Sequence, residues 1–401
     1  MRNTNTLLIL DYIRMSGETT RRNIQKDTKL SWAAISNITA DLIARNILQE
    51  VPPSTKVAGR NPGFLDFTPM KNLTIGMELN AEGLTMLLLD LRCDVIDSCE
   101  AALRSLEREA VIGQMIEMAD ELLRKHGLDT KRLLGIGIAM QGSVDRDGAI
   151  SLYNSYFRDW RDVPLKAICE EHFGVPVHVM HDPMCIALAE QWQRKLTERD
   201  DFALIRLAYG IGMSYITQGQ PIAGFGGTSG ELGHMVMDKN GPECSCGNNG
   251  CLESYCSIRG LAKRIVDEDG TRQIRLPEEL SRLDDSDVQL MYRIVDWAAQ
   301  NAREGRGELG RLFEEAGYYL GIGIANIVSL FNPEYVILTG RLLDFQDLFL
   351  ETAKACAGRQ AWKFSDFELL ISDGGRRQAS RGAALYFIND AFLSKNSHLI
   401  S

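Results

Sequence analysis

The stretch from Gly230 to Glu253 constrains this chain more than any other. It reads Gly-Glu-Leu-Gly-His and, a short loop later, Cys-Ser-Cys-Gly-Asn-Asn-Gly-Cys-Leu-Glu. Cys244, Cys246 and Cys251 with His234 make a closed Cys₃His set, the kind that holds Zn²⁺ tetrahedrally and leaves no position open for water. Gly247 and Gly250 let the backbone turn tightly enough for the thiolates to converge on one ion. A zinc held in this way is structural. Its expected service is to fix the loop that carries Glu231, His234 and Glu253, so that their side chains meet one small polar ligand. Four of the nine cysteines lie between 244 and 256, and Cys93, Cys99, Cys169, Cys185 and Cys356 are isolated. A cluster in a chain with no signal peptide reads as a metal site rather than as disulfides. The isolated five read as core thiols, and Cys256 as a packing residue.

Charge divides the chain unevenly. Residues 1–68 hold nine basic and six acidic side chains, whereas the remainder holds 35 and 48. An acidic body repels a polyanion, so any nucleic-acid contact is confined to the mildly basic N-terminal piece. No apolar run reaches the roughly 20 residues that cross a bilayer. The patch at Leu7–Leu10 is too short for a signal-peptide core and is followed by Asp11. A cytoplasmic protein with no membrane partner is the expectation.

The N-terminal residues have their own pattern. Leu7, Leu8, Leu10, Tyr12 and Ile13 surround a first helix that stops near Ser16-Gly17. Thr19 or Thr20 caps a second helix with Ile24 turned inward. Ser31 caps a third, which places Ile35, Ile38, Leu42 and Ile43 on one face. Two helices joined by a tight turn are the helix-turn-helix arrangement. The segments Leu48–Val51 and Phe64–Phe67, broken by Pro52-Pro53-Ser54 and Gly59-Arg60-Asn61-Pro62-Gly63, suit a hairpin wing with a basic tip. Trp32, Ala33, Ser36 and Asn37, just beyond the Ser31 cap, would then face base edges, Arg21, Arg22 and Lys26 would meet phosphates, and Arg60 would enter a minor groove. The alternative is a small helical bundle that only packs on the larger body.

From Leu73 the pattern changes to a strand triplet followed by alternating helices and strands, and this occurs twice. Strands are expected at Leu73–Leu79, Thr85–Leu91, Val95–Cys99, Leu133–Met140 and Val175–Met180, then at Phe202–Leu207, Met213–Gln218 and Tyr335–Leu338. Such a succession implies two α/β lobes with a cleft between them. The domain expectation is therefore residues 1–70 as a winged helix-turn-helix, 71–199 as lobe 1, and 200–401 as lobe 2 with the zinc loop. A C-terminal helix over 380–396 is available to pack back on lobe 1.

These residues carry a resemblance. The Gly-Glu-x-Gly-His segment, the Cys-x-Cys-Gly-x-x-Gly-Cys-Leu-Glu segment and the winged head with its Gly59-Arg60-Asn61-Pro62 wing together resemble the ROK family of repressors, open reading frames and sugar kinases. The likeness is to its transcriptional regulators, such as the xylose and N-acetylglucosamine repressors, over nearly the whole chain. The resemblance implies a two-lobed actin-like ATPase and sugar-kinase fold, with a monosaccharide or a derivative bound between the lobes. Carried across by position, the sugar ligands are Glu231, His234, Glu253 and Asp182, the last at the position of the family kinases' base. His181 stands where the family has Asn, and Gln141-Gly142 replaces its Pro-Gly turn, which makes Gly142 a ring neighbour. Paired carboxylates and an imidazole suit a polyol, because each accepts or bridges hydroxyl hydrogen bonds.

Phosphoryl transfer is not expected. It needs glycine turns whose backbone N–H groups approach the phosphates. The resemblance places Asp-x-Gly-Gly-Thr and Gly-Thr-Gly at two turns where this chain has Glu78-Leu79-Asn80-Ala81-Glu82 and Ala208-Tyr209-Gly210. No catalytic residue is therefore assigned, and Asp182 is read as a binding carboxylate. The chain is expected to be a sugar-responsive regulator, most simply a repressor, acting on operator DNA as a homodimer or homotetramer. The competing reading is an ATP-dependent sugar kinase with an appended DNA-binding domain.

Overall fold

The structure is a computed structural model that describes residues 2–52, 63–197, 199–269, 274–281, 287–305, 307–375 and 377–393. Its N-terminal head comprises α1 (Arg2–Ser16), β1 (Thr19–Thr20), α2 (Arg21–Thr28), α3 (Trp32–Ala44), β2 (Leu48–Val51) and β3 (Phe64–Phe67). The caps lie where the side chains predict. Thr20 accepts from the Asn23 amide, Ser31 accepts from the Ala34 amide, and Lys29 ends α2 in the left-handed region at φ 58°. Ile24, Ile35, Ile38 and Leu42 are buried as the periodicity predicts. On the first helix Ile9, Leu10 and Ile13 are buried and Leu8 is exposed. The two expected wing strands pair antiparallel, and β3 also takes β1 on its other edge, a short pairing with no apolar alternation to announce it. The basic tip with Arg60 lies outside the described residues.

The first lobe contains β4 (Leu73–Asn80), β5 (Gly83–Leu89), β6 (Val95–Ala101), α4 (Arg108–Lys125), β7 (Leu133–Met140), β8 (Ser143–Val144), β9 (Ser151–Tyr153), β10 (Arg161–Val163), α5 (Leu165–Phe173), β11 (Val177–His181) and α6 (Asp182–Arg194). The second contains β12 (Phe202–Leu207), β13 (Ile211–Thr217), β14 (Gln220–Pro221), α7 (Leu252–Cys256), α8 (Ile258–Asp269), α9 (Val288–Gly305), α10 (Gly307–Phe331), β15 (Tyr335–Thr339), α11 (Gln346–Gln360), β16 (Glu368–Ile371) and α12 (Gln378–Leu393).

The two five-stranded sheets run β11-β7-β4-β5-β6 and β16-β15-β12-β13-β14. Each has an antiparallel triplet extended by two parallel strands on the side of its first strand. The repeated strand pattern in the sequence is thus a repeated topology. Parallel strands need helical crossovers that cover the sheet faces. Here α6 and α12 pack on one another and lie between the two sheets, sharing a core with Ala139, Met180, Phe202, Leu204, Ile216 and Ile337.

Backbone proximity makes that central packing unforgiving. A methyl on Gly76 would overlap the Ser380 carbonyl, one on Gly137 the Ala383 carbonyl, and one on Gly382 the Cys185 carbonyl. Glycine is what lets α12 seat against β4, β7 and α6 at once. No helix among the described residues is long and apolar enough to cross a membrane. Gly382→Val forces α12 away from α6, and overpacking of this kind costs about 1–3 kcal/mol or more. A fall in the urea unfolding midpoint checks it, with Gly358→Ala, at a site where an added methyl meets nothing, unchanged.

Candidate functional site

The carboxyl ends of β4, β7 and β11 meet the β12–β13 turn and the Gly230–Glu253 segment around a cavity of about 140 Å³. Gly142, His181, Asp182, Glu231, His234 and Glu253 all line it, so every residue expected to meet a sugar faces the same space, and Asn154 lines it beside them. Gly142 turns the chain there at φ 91°. The Asn154 amide is engaged by backbone, donating to the Gln141 carbonyl at 2.8 Å and accepting from the Tyr156 amide at 2.8 Å. Asp182 opens α6 as its first helical residue, with His181 in the capping position. Burial, with the Glu253 charge adding to it, raises the Glu231 carboxyl above the ordinary value.

Asp182 is not a lone carboxylate. Its Oδ2 accepts from Nη1 of Arg206, whose Nη2 donates to Glu78 at 3.1 Å. All three side chains are nearly buried. Arg206 comes from β12 of the second lobe, and its partners from β4 and α6 of the first. Asn80 donates to the same Glu78 oxygen at 2.7 Å. Burial raises the Glu78 carboxyl in spite of the arginine. Sequence reasoning missed Arg206. The available signal was one cation inside the otherwise apolar strand Phe202–Leu207.

The first candidate phosphate turn is closed by side chains of the protein itself, Asn80 of the turn and Gln141 from the end of β7. The Ala81 amide donates to Gln141 Oε1 at 2.9 Å, and those of Glu82 and Gly83 donate to Asn80 Oδ1 at 2.7 and 3.2 Å. The Glu82 carboxylate accepts from the Tyr292 hydroxyl at 2.6 Å. At the second turn the Ala208 amide donates to the Gly210 carbonyl at 3.0 Å and the Ile211 amide to Glu253 Oε2 at 3.0 Å. A second cavity of about 590 Å³ lies beside the first, and Arg206, Asn80, Glu82 and Ala208 line both.

His234, Cys244, Cys246 and Cys251 bring one ligand atom each to within 4.8 Å of one another, a His/Cys₃ cluster able to hold a metal ion. Three soft sulfurs and one imidazole, with no carboxylate among them, match the closed structural pattern. The imidazole serves two sides: Nδ1 lies 3.6 Å from the Cys244 sulfur, and Nε2 points to Glu231 at 4.0 Å. Without a metal, the Cys244 hydrogen bond pushes His234 up to about 9. Burial pushes the Cys244 thiol up, but hydrogen bonds from His234 and Cys246 outweigh it and bring it to about 7. Cys256 is buried and donates to the Leu252 carbonyl at 3.5 Å, outside the cluster.

The profile of the ROK family matches residues 74–389. A relative described as a putative xylose repressor from Caldicellulosiruptor sp. (strain Rt8B.4) is 30% identical over 361 residues, covering 89% of this chain and 88% of its own. The chain belongs to the ROK family. Among solved structures, a ROK family transcriptional regulator described as a homologue of the E. coli MLC protein superposes with a TM-score of 0.76 at 23% identity, covering 98% of this chain and 96% of its own. A ROK family glucokinase from Streptomyces griseus, solved with glucose and AMPPNP, has a TM-score of 0.63 at 26% identity and covers 78% of this chain and 98% of its own. The fold is thus the ROK sugar-kinase-like fold, here preceded by the head.

In the head of this ROK chain, Ser31, Trp32, Ala33 and Asn37 are exposed, with Ser36 half-buried beside them. Trp32 is 51% exposed, too open for a core residue. Arg22 and Lys26 are exposed on α2. Arg21 has commitments within the head, donating to Thr39 at 2.8 Å and Glu50 at 2.7 Å.

His181 offers a pH test. Burial, with Arg206 adding to it, pushes its imidazole down to about 4. In the unfolded chain histidine titrates near 6.5. Below that pH the unfolded chain takes a proton that the folded one refuses, so stability is present above about 6.5 and falls toward about 4. His181→Asn should remove about 2 kcal/mol of that loss at about pH 5. Urea midpoints at about pH 7 and pH 5 check it, with a smaller drop in the variant.

Proposed function

We propose that this ROK chain is a sugar-responsive DNA-binding repressor without kinase activity. The observation that carries the reading is the closed Ala81–Gly83 turn, whose three amides have acceptors from the chain itself where a kinase would offer them to phosphate. The arginine on Asp182 adds to it, since a buried ion pair opposes the proton uptake that a general base performs. The head supports the DNA half of the reading: three helices, an antiparallel wing pair, two good caps and an exposed face on α3.

In this reading residues 1–70 are a winged helix-turn-helix, and 71–199 and 200–401 are the lobes. Trp32, Ala33, Ser36 and Asn37 face base edges, with Ser31 at the helix start. Arg22 and Lys26 meet phosphates, together with Arg60 in the wing and Arg21 through its remaining donors. Two heads of a homodimer, or of a dimer of dimers, enter half-sites about 10 bp apart or a multiple of it. A monosaccharide or derivative occupies the cleft on Asp182, Glu231, His234 and Glu253, with Gly142 and His181 against its ring. The metal is a structural Zn²⁺ on His234, Cys244, Cys246 and Cys251. It holds the imidazole Nδ1 and leaves Nε2 toward the cleft, which lets His234 serve both roles. The xylose named in the relative's description makes pentoses the first sugars to try.

A thermal-shift screen of monosaccharides and their phosphates tests the cleft, because a bound ligand raises the melting temperature by mass action. Asp182→Asn should abolish the shift given by the best sugar. Sugar-dependent ATP turnover at ordinary kinase rates would reverse the assignment. On DNA from the chain's own promoter, Arg22→Ala should weaken binding to all sequences and flatten its salt dependence, whereas Asn37→Ala should relax sequence choice. Zinc analysis of chelator-free protein should give about one ion per chain by the tetrahedral ligand count. Cys246→Ser should lower that content and lose the sugar response before the fold.

A further inference from the structure

Helix α6 has its ends in two different places. Asp182 opens it in the cleft, and about 15 Å along its axis, at 1.5 Å per residue, Trp192 meets the head. The Arg14 guanidinium of α1 lies 4.5 Å from the centre of the Trp192 ring. The same guanidinium donates to Asn389 of α12 at 2.8 Å, so one side chain joins the head to both central helices. Arg14 is held for this by Asp11, which accepts from Nε at 3.0 Å and Nη2 at 2.6 Å, and its side chain is only 9% exposed. A second arginine runs the other way. Arg92, in the β5–β6 turn, donates to Asp66 of the head at 2.9 Å and to the Ile13 carbonyl at 3.4 Å. Between the two arginines the apolar core is continuous: Ile9, Leu10 and Ile13 share one cluster with Leu87, Leu89, Ala189, Ala384, Leu385 and Ile388.

We infer that α6 is the connecting rod from cleft to head, and that the Arg14–Trp192–Asn389 joint is where an event in the cleft is delivered to the DNA-binding surface. The inference rests on the effector and operator reading above. A polyol whose hydroxyl donates to Asp182 competes with Arg206 for that carboxylate, so occupancy acts on the first turn of α6. The rod has little sideways slack, because α12 is seated against it at Gly382, and close-packed interiors transmit displacement rather than absorb it. Its far end is also tied to the second lobe, where Arg194 donates to the Ile371 carbonyl at 2.9 Å. The rod therefore registers how the lobes stand as well as whether the cleft is filled. The head has no slack of its own at this joint, because both central helices hold Arg14.

The test uses the full chain as wild type, Arg14→Met, Trp192→Leu and the conservative Trp192→Phe. Hydrogen exchange of peptides from α1, α3 and the end of α6 reads the joint without any ligand. Operator affinity on the chain's own promoter DNA, with and without saturating D-xylose or N-acetyl-D-glucosamine, reads the coupling. In Arg14→Met and Trp192→Leu, α1 and the end of α6 should exchange faster together while α3 keeps its protection. Their operator affinity without sugar should stay near wild type. The sugar-induced change, about 5- to 150-fold for ordinary allosteric coupling, should fall below about twofold and return in Trp192→Phe. Unchanged exchange of α1 in both variants, or an undiminished sugar effect in variants that fold, overturns the joint. A wild-type chain that ignores both sugars on its operator counts against the repressor reading instead, and the exchange experiment still decides the joint.

Discussion

Two carboxylates, Glu78 and Asp182, are buried beside the cleft, and a buried charged group needs a partner. Arg206 supplies that partner from the opposite lobe. Burying three charged groups is costly, and the pair interactions offset the cost only because hydrogen bonds such as Asn80 to Glu78 satisfy the remaining lone pairs. Removing one member of such a set leaves a buried charge uncompensated, at about 3–5 kcal/mol. The arrangement is therefore worth more as a fixed geometry than as a source of stability. It holds β4, α6 and β12 in register across the lobes, and it sets what the cleft can do.

The closed turns follow from the same economy of partners. Buried backbone N–H groups need acceptors, and a kinase leaves several of its own facing a nucleotide's phosphates. Here Asn80 and Gln141 fill that role permanently at one turn, and Glu253 does so for the Ile211 amide at the other. The second cavity lies beside a wall whose Ala81, Glu82 and Gly83 amides already have acceptors within the chain. Whether such turns offer amides to a ligand or close on themselves is thus decided by a few loop residues, with the two-sheet topology untouched.

What the sequence disclosed follows a physical divide. The metal cluster was legible because its four ligands lie within one short span, where spacing alone implies convergence. The caps at Thr20 and Ser31 and the strand triplets were legible because they are local and periodic. The domain reading also rested on local pattern, in the shift from helical to alternating spacing near Leu73. Arg206 was not legible as a partner of Asp182 and Glu78, since nothing local relates three residues on separate strands and a helix. The buried side of α1 was not legible for a related reason. Its buried side is set by α12 and the first sheet, and its own apolar residues leave the choice between Leu8 and Ile9 open.

Glu253 shows how the separate parts constrain one another. It follows Cys251 by two residues, accepts from Ser245 within the cysteine segment at 3.2 Å, and accepts from Ile211 at the start of β13. One carboxylate therefore ties the cysteine loop to the turn beside Arg206. An added methyl on Gly210 would crowd the Glu253 carboxylate, which would have to shift. A ligand hydroxyl that drew on Glu253 would act on a group already shared with the β12–β13 turn, and one that drew on Asp182 would act on a group already shared with β12. The two ends of the cleft are thus joined through the paired strands β12 and β13.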